Sequence, residues 1–156
     1  MDIVTAAVAV TGSVATAAVA GVFFAFSTFV VDGLDNSGRP HAAVAMRSIN
    51  ASAVRAPFMT LLFGTAGLTG AIAVHELRSS GPGLATTAAA IYWVSVVGVT
   101  VVANVPLNER LRTADGTTLA SGAAWDRFAR PWLRWNHLRA GGALAASICL
   151  AAVAGR

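Results

Sequence analysis

The stretch LATTAAAIYWVSVVGVTVVANV, residues 84–105, contains no charged side chain and decides the fold of this chain. A helix needs about 20 consecutive apolar residues to cross the hydrocarbon core of a membrane. Three further segments are predicted to cross the membrane, at residues 3–31, 57–74 and 131–154, and in the last of them the apolar run covers residues 140–154. The sequence therefore predicts an all-α fold, an integral membrane four-helix bundle that forms a single domain over residues 1–156.

The composition agrees with this prediction. Only 12% of the residues are charged and 56% are hydrophobic, whereas a soluble domain carries roughly 25% charged residues. The mean hydropathy is +0.66. The net charge of +4 comes from arginines in short segments between apolar runs. A nucleic-acid-binding protein needs a basic face on a folded surface, so no nucleic-acid partner is predicted.

The arginines are divided unequally between the two ends of the predicted helices. Arg78 and Arg156 lie at the end that carries both termini, whereas the loops at residues 32–56 and 106–135 carry most of the others. Loops rich in basic residues stay on the cytoplasmic side of a membrane. We therefore predict a protein of the cell (plasma) membrane, with the termini outside and the long Arg-rich loops cytoplasmic.

Each of the two long loops is predicted to contain a short interfacial helix. In the second loop, SGAAWDRFARPW places Trp125, Phe128 and Trp132 at helical spacing. The apolar run at residues 140–154 is too short to cross a membrane alone. The fourth membrane helix is therefore expected to begin at Pro131.

Polar side chains gather at the loop end of the predicted bundle. They are costly in lipid, and inside a membrane helix they are functional-site hypotheses. NVPLN contributes Asn104 and Asn108 from the third helix, and RSIN contributes Arg47 and Asn50 from the first loop. WNHLR opens the fourth helix with three further polar groups, Asn136, His137 and Arg139.

The same end of the bundle is rich in aromatic side chains, which the pattern alone leaves open between two interpretations. Trp125, Trp132 and Trp135 fit either an aromatic belt at the membrane surface or a pocket, and Phe23 and Phe26 fit either core packing or a pocket. The three histidines of the chain are spread over both ends, with no carboxylate cluster beside them, so no metal site is predicted.

Four of these stretches, in this order, resemble the anthrone oxygenase-like family of small membrane proteins, formerly a domain of unknown function. They are FFAFSTFV, AMRSIN, NVPLN and RPWLRWNHLR. The resemblance implies a monooxygenase of aromatic polyketide synthesis that converts anthrones to anthraquinones. Molecular oxygen is then the co-substrate, and no cofactor, metal or flavin, is expected.

Under this resemblance the polar residues receive roles in removing a proton from the substrate and stabilising the anion. His137 is predicted to be the general base, Asn136, Asn108 or Asn104 the hydrogen-bond donor to the oxyanion, and Arg139 a source of positive charge. The residues predicted to bind the substrate are Trp132, Trp135, Trp125, Phe23, Phe26, Asn50 and Arg47.

A non-enzymatic alternative stays open at this point. The same residues suit a membrane subunit that binds a quinone or lipid without converting it, or an accessory subunit. Replacement of His137 by Gln separates the two, because a binding protein tolerates it and a general base does not. The expected partners are a hydrophobic small molecule and membrane lipids. Gly64, Gly67 and Gly70 on the second helix also fit a homo-oligomer.

Overall fold

Four helices of the chain are long and apolar enough to cross a membrane. The computed structural model describes residues 3–155, and within that range it contains helices and no strand. The four helices are Ile3–Asn36, Ala56–Ser79, Leu84–Arg112 and Ala123–Ala154. The prediction of an all-α bundle is confirmed. Arg156, which the sequence assigns to the external side, lies outside the described residues.

The first and third membrane helices each contain wide, π-helical turns. In the first helix they lie towards the end that carries the long loops, and in the third they begin near the middle of the helix. The first consists of α1 (Ile3–Ala25), a π-helical segment at Phe26–Val30 and α2 (Val31–Asn36). In the third, α5 (Leu84–Tyr92) is followed by π-helical segments at Trp93–Gly98 and Thr100–Asn104 and by α6 (Val105–Arg112). Such turns are frequent at functional sites, because each one changes the direction of the side chains that follow.

The first loop forms a helix that packs into the protein. This helix, α3 (Arg39–Ala53), begins after Gly38, whose φ of 92° favours glycine, and has Pro40 in its first turn, where no backbone donor is needed. Ala42, Ala43 and Met46 are fully buried. Because α3 packs on α2 and α6, it covers the end of the bundle that carries the long loops. The second membrane helix, α4 (Ala56–Ser79), follows it closely along the chain.

The fourth membrane helix is longer than the sequence predicts. After the short α7 (Gly116–Ala120), α8 runs without interruption from Ala123 to Ala154. The expected start at Pro131 and the separate interfacial helix before it are therefore wrong. A proline inside a helix costs about 3 kcal/mol. The continuous helix buries Trp125, Phe128 and Trp132 in a ring stack, and each large apolar side chain contributes about 1.5–3 kcal/mol.

Two hydrophobic cores lie one above the other along the bundle. The membrane core joins α1, α4, α5 and α8 around residues such as Val19, Leu62, Tyr92 and Leu150. The second core, at the loop end, joins α2, α3, α6 and the start of α8. Gly142 lets α8 approach the third helix, because a Cβ at this position would collide with the Ser95 side chain.

Candidate functional site

A cavity of about 600 Å³ lies between the two cores. Its wall is formed by the first membrane helix, α3, the first turns of α4, the segment from Thr100 to Asn108 and α8. Eight of the residues predicted to form the site line this cavity. They are Phe23, Phe26, Asn50, Asn104, Asn108, Trp132, Asn136 and Arg139.

Arg139 is the charged residue of the cavity wall. It is 5% exposed, and its carbon Cζ lies 4.3 Å from the centre of the Phe23 ring and 5.3 Å from that of Trp132. Nη2 donates to Asn136 Oδ1 at 2.8 Å and Nη1 to Thr100 Oγ1 at 3.4 Å. Within residues 3–155, no carboxylate lies within salt-bridge distance of Arg139. Its positive charge is therefore buried without a counterion.

Asn136 holds Arg139 in this position. Its Nδ2 donates to the Phe23 carbonyl at 2.7 Å and to Ser27 Oγ at 2.8 Å. Its Oδ1 accepts from Arg139, and the side chain is fully buried. Both amide hydrogens of Asn136 are thus engaged by the protein, so this residue orients Arg139 and has no free donor for a ligand.

Asn104, Asn108 and Trp132 form a second hydrogen-bonded group in the wall. Asn104 Nδ2 donates to the Trp132 carbonyl at 3.3 Å, and Trp132 Nε1 donates to Asn108 Oδ1 at 2.8 Å. The Trp132 ring also packs on Phe26, with 5.7 Å between ring centres. These bonds fix the indole plane as one aromatic side of the cavity.

Three buried side-chain atoms lack a hydrogen-bond partner within the described range, and all three belong to residues of this wall. They are Asn50 Nδ2, Asn104 Oδ1 and Arg139 Nε. A buried polar atom without a partner costs about 1–3 kcal/mol and calls for an explanation in a native structure. Two donors and one acceptor in one cavity indicate a site built for a polar, hydrogen-bonding ligand.

Four residues predicted for the site lie away from the cavity wall. His137 is exposed and lines an outer groove between α1 and α8, together with Phe24 and Ser27. Trp135 is 43% exposed on another outer groove. The last two are Trp125, buried in the second core with Nε1 donating to Asp35 Oδ1 at 2.7 Å, and Arg47, half-buried on α3 outside the wall.

The cavity also contains residues that the sequence did not single out. Thr100 is a polar partner of Arg139, and its position four residues before Asn104 on one helix is the signal that could have revealed it. Phe58, Met59 and Leu62 of α4 complete the apolar wall. Their sequence does not distinguish these three from ordinary membrane-core residues.

The fold and this cavity define a class of helical membrane protein whose internal site is lined by aromatic and polar side chains. A sequence model of the anthrone oxygenase family matches residues 46–149, which is most of the chain. The protein belongs to this family, as its motifs predicted, and four membrane-length helices agree with a membrane-embedded, oxygenase-like protein. No curated protein matches the chain. No solved structure matches it either.

Proposed function

We propose that the protein is a membrane oxygenase that oxidises a flat, hydrophobic aromatic ketone or phenol, such as an anthrone, with molecular oxygen. The observation that supports this proposal is Arg139, a cation buried in an aromatic cavity with no acidic partner among residues 3–155. Such a charge stabilises an anion that forms inside the cavity, and the attraction between the two charges is stronger than in water because Arg139 is buried.

The reaction needs an anion because of the chemistry of the substrate. An anthrone loses a proton from its CH₂ group and becomes an electron-rich, delocalised enolate. This enolate transfers one electron to O₂, and the two radicals combine to form a carbon–oxygen bond. The resulting hydroperoxide loses water and leaves a carbonyl group. The carbon loses four electrons to O₂, and one oxygen atom ends in the quinone and the other in water. No cofactor is needed for this balance.

The residues of the cavity suit the substrate anion and its flat ring system. The Arg139 guanidinium donates to the enolate oxygen through Nε, which has no partner in the described protein. Phe23, Phe26 and Trp132 provide apolar faces for a planar ring system. A volume of about 600 Å³ is within the usual range for ligand pockets, about 300–1,000 Å³.

The proton that leaves the CH₂ group of the substrate needs an acceptor. The sequence assigns this role to His137, which lies on the outer groove and not on the cavity wall. Ser27 lines that same groove and accepts a hydrogen bond from Asn136. His137 and Arg139 therefore lie on different sides of α8, and only Arg139 faces the cavity. The role of His137 as the base stays a prediction.

The test is oxygen uptake by detergent-purified protein supplied with a hydroxyanthrone, with metal content measured on the same sample. We expect uptake above the autoxidation rate and label from isotopic O₂ in the quinone. Arg139→Met should lower kcat by about 10²–10³-fold, the usual effect of removing one oxyanion donor. Arg134→Met is the matched control, since Arg134 is exposed on the same helix. Equal rates for the wild type and Arg139→Met contradict the proposal.

The position of His137 outside the wall favours a second candidate function, the binding of a quinone or lipid without conversion. In that case Arg139 Nε and Asn50 Nδ2 donate to a carbonyl oxygen of the ligand, and no proton is removed. A sample that takes up no oxygen with hydroxyanthrones, yet binds the corresponding quinones in an Arg139-dependent manner, identifies the protein as a binding subunit.

The same proposal includes a plasma-membrane location with the long loops cytoplasmic. Arginines are concentrated in the segments that precede α4 and α8, and basic loops favour the cytoplasmic side. Single cysteines introduced at Ser80 and at Thr113, in a Cys149→Ala background, test this orientation. We expect an impermeant thiol reagent added to intact cells to label position 80 and not position 113.

A further inference from the structure

Asn104 has an acceptor atom for which the protein supplies no donor. The side chain is 1% exposed, and Nδ2 is held by the Trp132 carbonyl. This bond fixes the amide orientation and leaves Oδ1 as the buried atom without a partner within the described residues. Since an unmade hydrogen bond at a buried atom is unfavourable by about 1–3 kcal/mol, the Asn104 oxygen is arranged for a donor that arrives with a ligand.

The other two unpaired atoms of the wall have the opposite character. Arg139 Nε and Asn50 Nδ2 are donors, and they belong to α8 and α3 respectively. A ligand that satisfies all three atoms needs acceptor oxygens for the two donors and a hydroxyl or amino hydrogen for Asn104. A plain aromatic hydrocarbon or a simple ketone leaves Asn104 unsatisfied.

We propose that Asn104 is a specificity-determining residue that accepts a hydrogen bond from a phenolic hydroxyl of the substrate. This inference rests on the proposed function of the same cavity, in which Arg139 receives the ionised oxygen. This hydroxyl must not already donate an intramolecular hydrogen bond to the ketone oxygen of the same substrate molecule. The substrate class is then a polycyclic aromatic ketone or enolate with a free phenol at its edge.

An asparagine suits this role better than an aspartate. A carboxylate in the same wall would attract the Arg139 guanidinium and reduce the charge available to the substrate anion. A neutral amide oxygen accepts the hydroxyl without this effect. Sites that hydrogen-bond a substrate hydroxyl discriminate strongly against analogues without it, because their own buried polar atoms are then left unpaired.

The test uses equilibrium binding of three probes, 2-hydroxyanthraquinone, 2-methoxyanthraquinone and anthraquinone. None of them is turned over by an anthrone oxidation, so the result does not depend on whether the protein is an oxygenase. Binding is monitored through the quenching of tryptophan fluorescence, at a pH below the pKa of the phenol. We expect the wild type to bind the hydroxy compound about 10–100-fold more tightly than the other two, as a satisfied buried acceptor requires.

Variants assign this preference to Asn104. Asn104→Leu should bind all three probes with similar affinity, and its binding of anthraquinone shows that the cavity is intact. Asn50→Leu removes a donor instead, so it should weaken the three probes alike and keep the preference. If Asn104→Leu does not fold, Asn104→Ala replaces it. A wild type that binds the probes equally, or binds none, overturns the inference, as does a preference that survives in the Asn104 variants.

Discussion

Replacement of Arg139 by Met should remove the activity and leave the stability of the bundle almost unchanged. This combination separates a charge that serves a substrate from a charge that holds the fold together. Arg139 lies midway along α8, with a buried guanidinium that has no acidic partner in residues 3–155. A structural arginine in a buried salt bridge would lower stability strongly when removed, because the charge of its partner is then left unpaired.

The expected magnitude follows from the contacts of Arg139. Transfer of an arginine to the centre of a membrane helix is unfavourable by about 2.5–3.5 kcal/mol, and Met avoids this term. The loss of the hydrogen bond to Asn136 removes about 1.5–3 kcal/mol, and the loss of the Phe23 contact removes about 1 kcal/mol. The bond to Thr100, at 3.4 Å, is long and contributes little. The terms nearly cancel, and the net effect lies between a gain of about 1 kcal/mol and a loss of about 1.5 kcal/mol.

The assay is thermal unfolding in detergent, in which the loss of helix content is monitored as the temperature rises. Activity is measured on the same preparation. A change of 1 kcal/mol shifts the midpoint of a chain of this length by about 2–4 °C. We expect Arg139→Met to stay within about 6 °C of the wild type. Asn136→Leu is the comparison variant. It leaves the Phe23 carbonyl, Ser27 and the Arg139 charge without this partner, and it should lose about 3–5 kcal/mol.

A large loss of stability in Arg139→Met would refute this reasoning. If the midpoint falls as far as in Asn136→Leu, Arg139 belongs to the folding energy of the bundle. A loss of activity would then say nothing about an anion in the cavity. If stability is kept and activity is kept as well, the buried charge has no role in the reaction.

Two further predictions concern α8. His137→Gln is predicted from the sequence to lower kcat by about 10²–10⁴-fold, as removal of a general base does. A decrease of less than threefold in oxygen uptake would contradict the assignment of His137 as the base. Gly142→Ala should destabilise the bundle by about 1–3 kcal/mol in thermal unfolding, because its Cβ collides with Ser95. Gly141→Ala has open space around its Cβ and should be neutral, and equal stability of the two variants would contradict the packing described between α8 and the third helix.

The membrane helices could be predicted because long uncharged runs have few alternatives in a chain of this composition. The length of α8 could not be read from hydropathy, since residues 123–139 contain several arginines. Helical spacing carries the missing information. Trp125, Phe128, Trp132, Asn136 and Arg139 recur every three or four residues and are all buried, so they form one continuous inner face. That face begins before Pro131 and indicates a single helix.

The same spacing explains which site residues the structure brings together. Asn136 and Arg139 are three apart on α8 and share its inner face, whereas His137 is rotated by about 100° from Asn136 in a helix of 3.6 residues per turn. Residues that are adjacent in the motif WNHLR therefore point to different sides of the helix. The gathering of Asn50, Asn104 and Asn108 at the same cavity was expected from their common end of the bundle. The hydrogen bonds of Asn104 and Asn108 to Trp132 depend on how α8 packs against the third membrane helix, which no motif specifies.

The choice of Asn136 as the partner of Arg139 is itself an argument for an anionic ligand. An aspartate at this position would pair with the guanidinium and satisfy its charge inside the protein. Asparagine orients the same group through a 2.8 Å hydrogen bond and takes no charge from it. The protein thus fixes the direction of Arg139 and keeps its full charge for another group. Since the guanidinium is buried against the rings of Phe23 and Trp132, that group is best supplied by a substrate that ionises after it has entered the cavity.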